Sequence, residues 1–594
     1  MNRGLIQKKS IDRMIDHLGQ TTVAAVTSFR PRHGFPQCAS RATRGHSCHS
    51  WFLEYAMAPP LSLLDRPHAL HPFMGQDVAS LLVEKAHARR DHPFLVWEPL
   101  EDSGAPEARA QTLTYGQFFA RVTRIAAGLA HRGVTPGQAV LIHLDNCLEA
   151  LLSWYACTWL GAVAVTTNAR ASDDELHYYA EHCGAVAAIT QPQFAQRVSA
   201  HCPGLRWVVV TSHDGGVPAA QPVAAQDRFE SLEHATPWPQ RAPQPLASCS
   251  VQYTSGTTSR PKAVLWTHAN ALWGARVNAA HEDLRAEDVH LVYLPLFHTN
   301  AQAYSVLACL WVGATAVIQP RFSASRFWPV ALKHRCTWTS LIPFCAKALL
   351  NQPVPAQHHF RWWGSAVSSP PYDAHFGVRT LGWWGMTETI THGIVGSLHH
   401  PNVPLSIGRS APEYEITIVE DDAVPVREGR AIEPGGSGLL LIRGQRGLSL
   451  FQEYLGNAKA TADSFDPDGW FKTGDRVNLL ADGSIQFGDR DKDMLKVGGE
   501  NVAASEVERV LLAIPGVHEC AVVAKKHPML DEVPVAFILP TPGVQPDDLI
   551  QRVNDACVAQ LADFKRPVEV LLVQSFPRST LEKIAKAQLR ALLN

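Results

Sequence analysis

The sequence has almost no net charge and no long apolar run. Its 594 residues hold 53 Lys plus Arg and 55 Asp plus Glu, a formal net charge of −2. This balance argues against a general binder of nucleic acid or of anionic membranes, which is usually basic. The most apolar uncharged stretch, residues 303–318, is shorter than the roughly 20 residues that span a bilayer and is interrupted by Gly313. It predicts a buried helix, a turn and a strand rather than a membrane span.

Paired cysteines and a secretion signal are also missing. The 12 cysteines include no Cys-x-x-Cys pair, which argues against a zinc site or a disulfide framework and favours a reducing, cytoplasmic location. Residues 1–10 are polar and basic, without the apolar core of a signal peptide. Residues 28–50 contain no acidic side chain. Either this is a transit peptide, or residues 1–57 are a disordered or non-native extension before a start at Met57; we favour the extension.

The chain as a whole has ordinary globular composition, with 46% apolar and 18% charged residues. From about residue 78, short apolar runs alternate with segments of helical spacing, which is typical of parallel strands joined by crossover helices. The predicted helices are 117–132, 149–160 and 174–183, and the predicted strands are 139–144, 162–166, 185–190 and 207–210. Residues 211–248 are rich in Pro, Ala and Gln and are predicted to form a surface connection.

The pattern changes after about residue 404. Strands at 416–420, 438–443 and 484–488 are separated by Gly, Pro and Asp turns and predict a β-rich subdomain over about 404–489. The last hundred residues contain a predicted helix at 504–513, strands at 520–524 and 535–539, and a helix at 546–561. We therefore predict an α/β protein with a large domain over 58–489 and a small α+β domain over 490–594.

Two segments have the composition of a nucleotide site. Residues 251–264 read VQYTSGTTSRPKAV, where hydroxyl groups and backbone N–H groups can surround phosphate oxygens and a lysine adds positive charge. This is not a Walker A loop, because the required Gly and Lys spacing is absent. Residues 383–389 read WWGMTET, in which Trp384 offers a face for stacking a base and Glu388 a carboxylate for magnesium. Taken singly, each segment also fits a polar turn or an ordinary buried aromatic.

Three further segments follow in order. Residues 470–476 read WFKTGDR, and Asp475 can accept hydrogen bonds from ribose hydroxyls. Residues 488–502 read GDRDKDMLKVGGENV and combine Arg490 with a glycine pair. Residues 576–586 read FPRSTLEKIAK and include Lys583. Each of these segments alone also fits a solvated turn or surface.

In this order and spacing, the motifs resemble the adenylate-forming superfamily of acyl-CoA synthetases, luciferases and adenylation domains, over roughly residues 75–590. Within this superfamily, the sequence most resembles the branch of the crotonobetaine/carnitine-CoA ligases. The resemblance implies two parallel sheets and a distorted β-barrel, followed by a small mobile C-terminal domain. It also implies ATP and Mg²⁺, with coenzyme A as co-substrate.

The resemblance implies roles for individual residues. Those around the phosphates, adenine and ribose of ATP are Thr254, Ser255, Gly256, Thr257, Thr258, Lys262, Gly364, Ser365, Ala366, Thr387, Trp384, Asp475 and Arg490. Glu388 would bind the magnesium ion, Lys492 would be the hinge, and Lys583 the catalytic lysine. Gly498 and Gly499 would line the pantetheine tunnel, and His298, in the segment PLFH, would lie at the acyl pocket.

The implied reaction joins a carboxylic acid to CoA in two steps. The carboxylate attacks the α-phosphorus of ATP and releases pyrophosphate, and the CoA thiol then displaces AMP from the acyl-AMP. Three positions depart from the family pattern, because Ser259 and Ala263 replace usual glycines and Glu582 precedes Lys583 in place of glycine. If position 259 needs a positive φ, serine there would cost about 1–2 kcal/mol.

The acid itself is left open. The acyl pocket segments hold Phe297, His298, Phe344, Trp383 and His392, with no obvious charge for a second carboxylate or an ammonium group. Aromatic walls suit a quaternary ammonium by cation–π contact or a bulky steroid-derived, aryl or fatty acid. The alternatives are an adenylating enzyme with another acceptor, or a degenerate nucleotide-binding protein without activity. Neither nucleic acid nor a transmembrane segment is expected, and a homodimer is compatible with the sequence.

Overall fold

The computed structural model describes residues 71–100, 109–218, 224, 227–254, 261–490, 494–497, 500–528, 530–561, 563–578 and 584–593. The predicted extension over 1–57 therefore lies outside the described residues. No helix among those described is long and apolar enough to cross a bilayer.

Two mixed sheets with parallel centres form the large domain. The first contains the predicted apolar strands, which are buried on both faces as expected for a sheet covered by helices. Its order is Glu453–Tyr454, Ala263–Thr267, Ser248–Tyr253, Val163–Thr166, Ala139–His143, Ala187–Thr190 and Val208–Val210. The pairs from Ser248–Tyr253 to Val208–Val210 are parallel, and the first two pairs are antiparallel.

The second sheet carries the remaining strands of the large domain. Its order is Arg409–Ser410, His392–Val395, Arg379–Gly385, Trp362–Ser365, Trp338–Ser340, Val289–Val292, Thr315–Ile318, Pro93–Trp97 and Gln111–Thr114. The central pairs are parallel, and the outermost pairs at both edges are antiparallel. A short hairpin, His213–Asp214 with Val217–Pro218, lies in the predicted surface connection.

Helices pack against these sheets. The α-helices of the large domain are Val78–Ala88, Tyr115–His131, Leu148–Leu160, Asp173–His182, Pro192–His201, His268–His281, Ala308–Val312, Ala324–Lys333, Pro343–Leu349, Pro370–Phe376 and Ala458–Asp463. A 3₁₀ turn covers Phe229–Leu232 and a π-helix covers Asn300–Leu307. The helix, turn and strand predicted over 303–318 are confirmed, with Gly313 in the left-handed conformation that ends the helix before Thr315–Ile318.

The β-rich and C-terminal predictions agree with the observed elements. The region after residue 404 contains an antiparallel sheet of Glu415–Val419, Ser437–Arg443, Phe471–Leu479 and Ile485–Arg490. The C-terminal sheet orders Glu500–Ala503, Met494–Val497, Asp531–Pro540 and Val517–His527, with Glu569–Leu572 on Asp531–Pro540. Its helices are Ala504–Leu512, Pro546–Gln560 and Lys586–Ala591, with a 3₁₀ turn at Asp563–Lys565. These elements bury their own apolar clusters, which is the mark of a separate domain.

Candidate active site

The predicted phosphate loop connects two antiparallel strands. Tyr253 pairs with Ala263, and the backbone N–H of Thr254 donates to the carbonyl of Lys262 at 2.9 Å. The strands thus hold the two ends of the loop together, while Ser255, Gly256, Thr257 and Thr258 lie outside the described residues, as does Ser259. Ala263 is a buried residue of a regular strand with no positive φ, so its position does not require glycine.

A tyrosine joins the phosphate loop to the predicted magnesium carboxylate. Tyr454 Oη donates to Glu388 Oε1 at 2.8 Å, and Lys262 Nζ lies 4.4 Å from the centre of the Tyr454 ring. Burial, and then the Glu388 charge, raise the pKa of Tyr454, so the phenol keeps its proton and remains a donor. The sequence reasoning missed Tyr454, which lies 66 residues from Glu388 along the chain.

The backbone of the Thr387 and Glu388 segment is fixed from both sides. Trp266 Nε1 donates to the Thr387 carbonyl at 3.0 Å, and the Phe451 N–H donates to the Glu388 carbonyl at 2.8 Å. Ile390 follows with φ +64°, although it is β-branched and fully buried. Such a conformation costs about 1–3 kcal/mol and is found where neighbouring structure enforces it, often at functional sites. These contacts orient the Glu388 side chain, which is 4% exposed.

The donor set around Glu388 suits magnesium. No group of three or more His, Cys, Asp or Glu that could hold a metal ion occurs in the described part of the chain. Magnesium is characteristically held by one or two carboxylates together with waters and substrate phosphates, rather than by an all-protein cage. A single buried carboxylate beside a phosphate loop therefore fits this ion.

Trp384 and Asp475 are brought together across two sheets. Trp384 Nε1 donates to Asp475 Oδ2 at 2.8 Å, and the two residues are 6% and 1% exposed. The backbone register places Arg490 opposite Asp475, although the Arg490 side chain lies outside the described residues. The predicted adenine and ribose residues are therefore neighbours, and the Trp384 ring edge is held by the carboxylate.

One predicted acyl segment, residues 364–366, lies beside the strand Arg379–Gly385, which carries Trp384. Gly364, Ser365 and Ala366 end the strand beside Arg379–Gly385, with Gly364 next to Leu381 and Ser365 next to Gly382. His298 begins the turn into the π-helix, and its carbonyl accepts from the N–H of Gln302 at 3.0 Å. Ala366 is exposed and Ser365 is buried. Of the other predicted residues, Lys492, Gly498, Gly499, Glu582 and Lys583 lie outside the described part of the chain.

Comparison with known proteins identifies the family. Residues 82–455 match the AMP-binding enzyme family, and residues 506–583 match the AMP-binding enzyme C-terminal domain. The chain belongs to the AMP-binding enzyme family. Among similar AMP-binding enzymes, the crotonobetaine/carnitine–CoA ligases of Escherichia coli and Shigella sonnei are 33% identical over 506 residues, which cover 82% of this chain and 95% of each relative.

Solved structures give the same result. An anthranilate CoA ligase in complex with anthranoyl-AMP has a TM-score of 0.75 at 25% identity and covers 88% of this chain and 98% of its own. The o-succinylbenzoate CoA synthetase of Bacillus subtilis, with its acyl-adenylate, has a TM-score of 0.73 at 26% identity and covers 87% and 98%. This AMP-binding enzyme is thus an acid–thiol ligase that forms acyl-CoA through an acyl-AMP intermediate and uses ATP, Mg²⁺ and CoA. The predicted fold class and family are confirmed.

Proposed function

We propose that this ligase adenylates its acid at the site formed around Glu388 and the Trp384–Asp475 pair. The observation that supports this most is the continuous set formed by Lys262, Tyr454 and Glu388, which places a cation and an oriented carboxylate beside the loop. Lys262 would face the phosphates, and Thr387 would contact the α-phosphate. Trp384 would stack on adenine while its N–H holds Asp475 toward the ribose.

In the first half-reaction an oxygen of the substrate carboxylate bonds to the α-phosphorus, and the bond from that phosphorus to the pyrophosphate oxygen breaks. The two reactants are both anionic, so positive charge at the site lowers the barrier. Lys262 supplies one such charge, and a magnesium ion held by Glu388 would neutralise phosphate oxygens. Tyr454, as a permanent donor, keeps the Glu388 carboxylate in one orientation.

In the second half-reaction the CoA thiol bonds to the acyl carbon and AMP leaves. His298 would lie at the acyl pocket and help to shape this step. The roles of Arg490, Lys492, Gly498, Gly499 and Lys583 stay predictions, as do the domain limits, a homodimer and a cytoplasmic location.

For the acid, we propose one of the four classes suited to the aromatic walls: steroid-derived, aryl, fatty or betaine-type acids used in catabolism. The test is CoA-dependent AMP release from ATP over a panel of these acids, with mass detection of the thioester. A thioester with one class supports the proposal and names the acid. Release of AMP or pyrophosphate without thioester would point to another acceptor. No turnover and no ATP binding by calorimetry would contradict it.

A further inference from the structure

Three packed rings lie at the predicted acyl segments, and we call them the Trp383 stack: Trp383, His392 and Tyr304. The rings of Trp383 and His392 are stacked, with centres 4.2 Å apart and planes at 15°, and the Tyr304 ring lies 4.2 Å from His392 with its plane tilted by 58°. The three side chains are at most 7% exposed. They form a single packed unit with no gap between the rings.

The stack fills the space left open by two glycines. A Cβ built on Gly364 would lie 1.6 Å from Trp383 Cη2, so the indole rests directly on the backbone of the neighbouring strand. A Cβ on Gly385 would lie 2.4 Å from Tyr304 Oη. Glycines at these two positions would leave room for a ligand tail, but protein rings occupy that room instead.

The elements that carry the stack enclose it from both sides. His392 pairs with Gly385 on the adjacent strand, which puts it on the same sheet face as Trp383. Tyr304 comes from the π-helix Asn300–Leu307, which starts two residues after His298. π-Helical turns are rare and occur frequently at functional sites. The rings therefore lie where this helix packs against the sheet, next to the predicted acyl segments.

The three rings carry no positive charge. Burial and the neighbouring His281 lower the pKa of His392 well below its ordinary value, so this ring is neutral. His281 itself contacts Glu413 Oε2 at 2.9 Å. A tail ending in a second carboxylate would find no counter-charge on the stack.

We propose that Trp383 is a specificity-determining residue that forms the floor of the acyl pocket, so that this ligase selects acids with a compact, non-anionic tail. This inference rests on the proposed function and narrows its four acid classes to small aryl and betaine-type acids. Long fatty acids and steroid-derived acids would meet the indole where it rests on Gly364.

Ligand binding, measured without turnover, can test whether Trp383 limits the length of the acyl tail. The probes are acyl sulfamoyl adenosines, stable mimics of acyl-AMP, with straight tails of increasing length, measured by calorimetry on the full chain. Because one surplus methylene in a tight apolar pocket costs about tenfold or more, wild type should bind long tails at least about tenfold more weakly than short ones. Trp383→Ala should remove this discrimination. Equal affinity of wild type for short and long tails would overturn the proposal.

A matched pair of variants distinguishes a local effect of Trp383 on the acyl pocket from the general effect of replacing a buried tryptophan. Trp363 lies on the adjacent strand and packs on the opposite sheet face, against Trp328 and Phe376. Trp383→Phe and Trp363→Phe therefore make the same chemical change on two faces. Only Trp383→Phe should shift the preference toward longer tails. The same shift in both variants, with both folded by circular dichroism, would show that the effect is not local to the pocket.

The contact with Gly364 provides a rescue test. Gly364→Ala should displace the indole and weaken binding of short-tail probes about tenfold or more, and adding Trp383→Ala should restore part of that loss. Strictly additive effects would mean that Trp383 does not mediate the effect at Gly364. Failure of the ligase assay with every acid, together with chain-length discrimination by these probes, would contradict the proposed function but not the floor.

Discussion

Replacing Tyr454 by phenylalanine should impair magnesium use while leaving the fold intact. The change removes only the hydroxyl that donates to Glu388 at 2.8 Å and keeps the ring beneath Lys262. A hydrogen bond to a charged group contributes about 1.5–3 kcal/mol. Loss of a hydrogen-bond partner of a metal-ligating carboxylate commonly costs 10–100-fold in affinity or activity. We therefore expect the apparent Mg²⁺ constant in ATP–pyrophosphate exchange to rise by about 10–100-fold.

The matched control is Tyr115→Phe. Tyr115 is also buried, and its hydroxyl donates to the Ala314 carbonyl at 2.6 Å rather than to a predicted nucleotide residue. This variant should lose comparable stability and keep its Mg²⁺ constant. An unchanged or lower Mg²⁺ constant in Tyr454→Phe, with the variant folded, would refute the argument that this phenol orients Glu388.

Three other predictions concern separate parts of the molecule. Trp384→Phe keeps an aromatic face but removes the N–H to Asp475, so the KM for ATP should rise about tenfold; in a double-mutant cycle with Asp475→Asn the two losses should overlap, and additive losses would contradict the pairing. Burial lowers the pKa of His143 to about 4, so between about pH 6.5 and pH 4 this side chain is protonated in the unfolded chain but not in the folded chain. The free energy of unfolding should therefore fall by up to about 1.4 kcal/mol per pH unit from pH 6.5 down to about pH 4, with no loss from this group above pH 6.5. In urea unfolding, His143→Gln should make stability less dependent on pH over this range. Gly128→Ala would put a Cβ 2.0 Å from the Leu232 carbonyl oxygen; the urea midpoint should fall by the equivalent of about 1–3 kcal/mol, although alanine is the better helix former, and a stabilised variant would show that the loop carrying Leu232 can move.

Much of the fold could be predicted because buried parallel strands appear in the sequence as short runs of apolar residues. The strand Ala139–His143 and the helix Leu148–Leu160 each lie within one residue of their predicted limits. The end of a helix could also be predicted from a single residue, because Gly313 ends the helix Ala308–Val312 as expected. The weaker boundaries lie in the C-terminal domain, where the observed strands Val517–His527 and Asp531–Pro540 extend beyond the apolar cores that were recognised. Many of their outer residues are polar, such as Lys525, Lys526 and Glu532, and their pairing with a neighbouring strand shows that they belong to the sheet.

Candidate site residues could be predicted where they belong to a sequence motif. Contacts that depend on how strands pack together could not. Glu388, Trp384 and Asp475 were proposed as site residues from short segments, and the structure brings the last two into contact. Tyr454 was missed because it stands in no motif and meets Glu388 only through the pairing of its short strand with Val264. The seating of Trp383 on Gly364 was missed for a similar reason, since nothing in either segment records how neighbouring strands are aligned.

The bond between Trp384 and Asp475 has a consequence for how the molecule comes apart. Trp384 belongs to the large mixed sheet and Asp475 to the antiparallel sheet, so one hydrogen bond ties two layers that each have their own strands. A nucleotide bound by both residues would stabilise this link between the sheets. The added stability would grow with the logarithm of the nucleotide concentration. The two sheets should therefore melt more nearly as one cooperative unit in a cell rich in ATP than in a dilute, nucleotide-free solution.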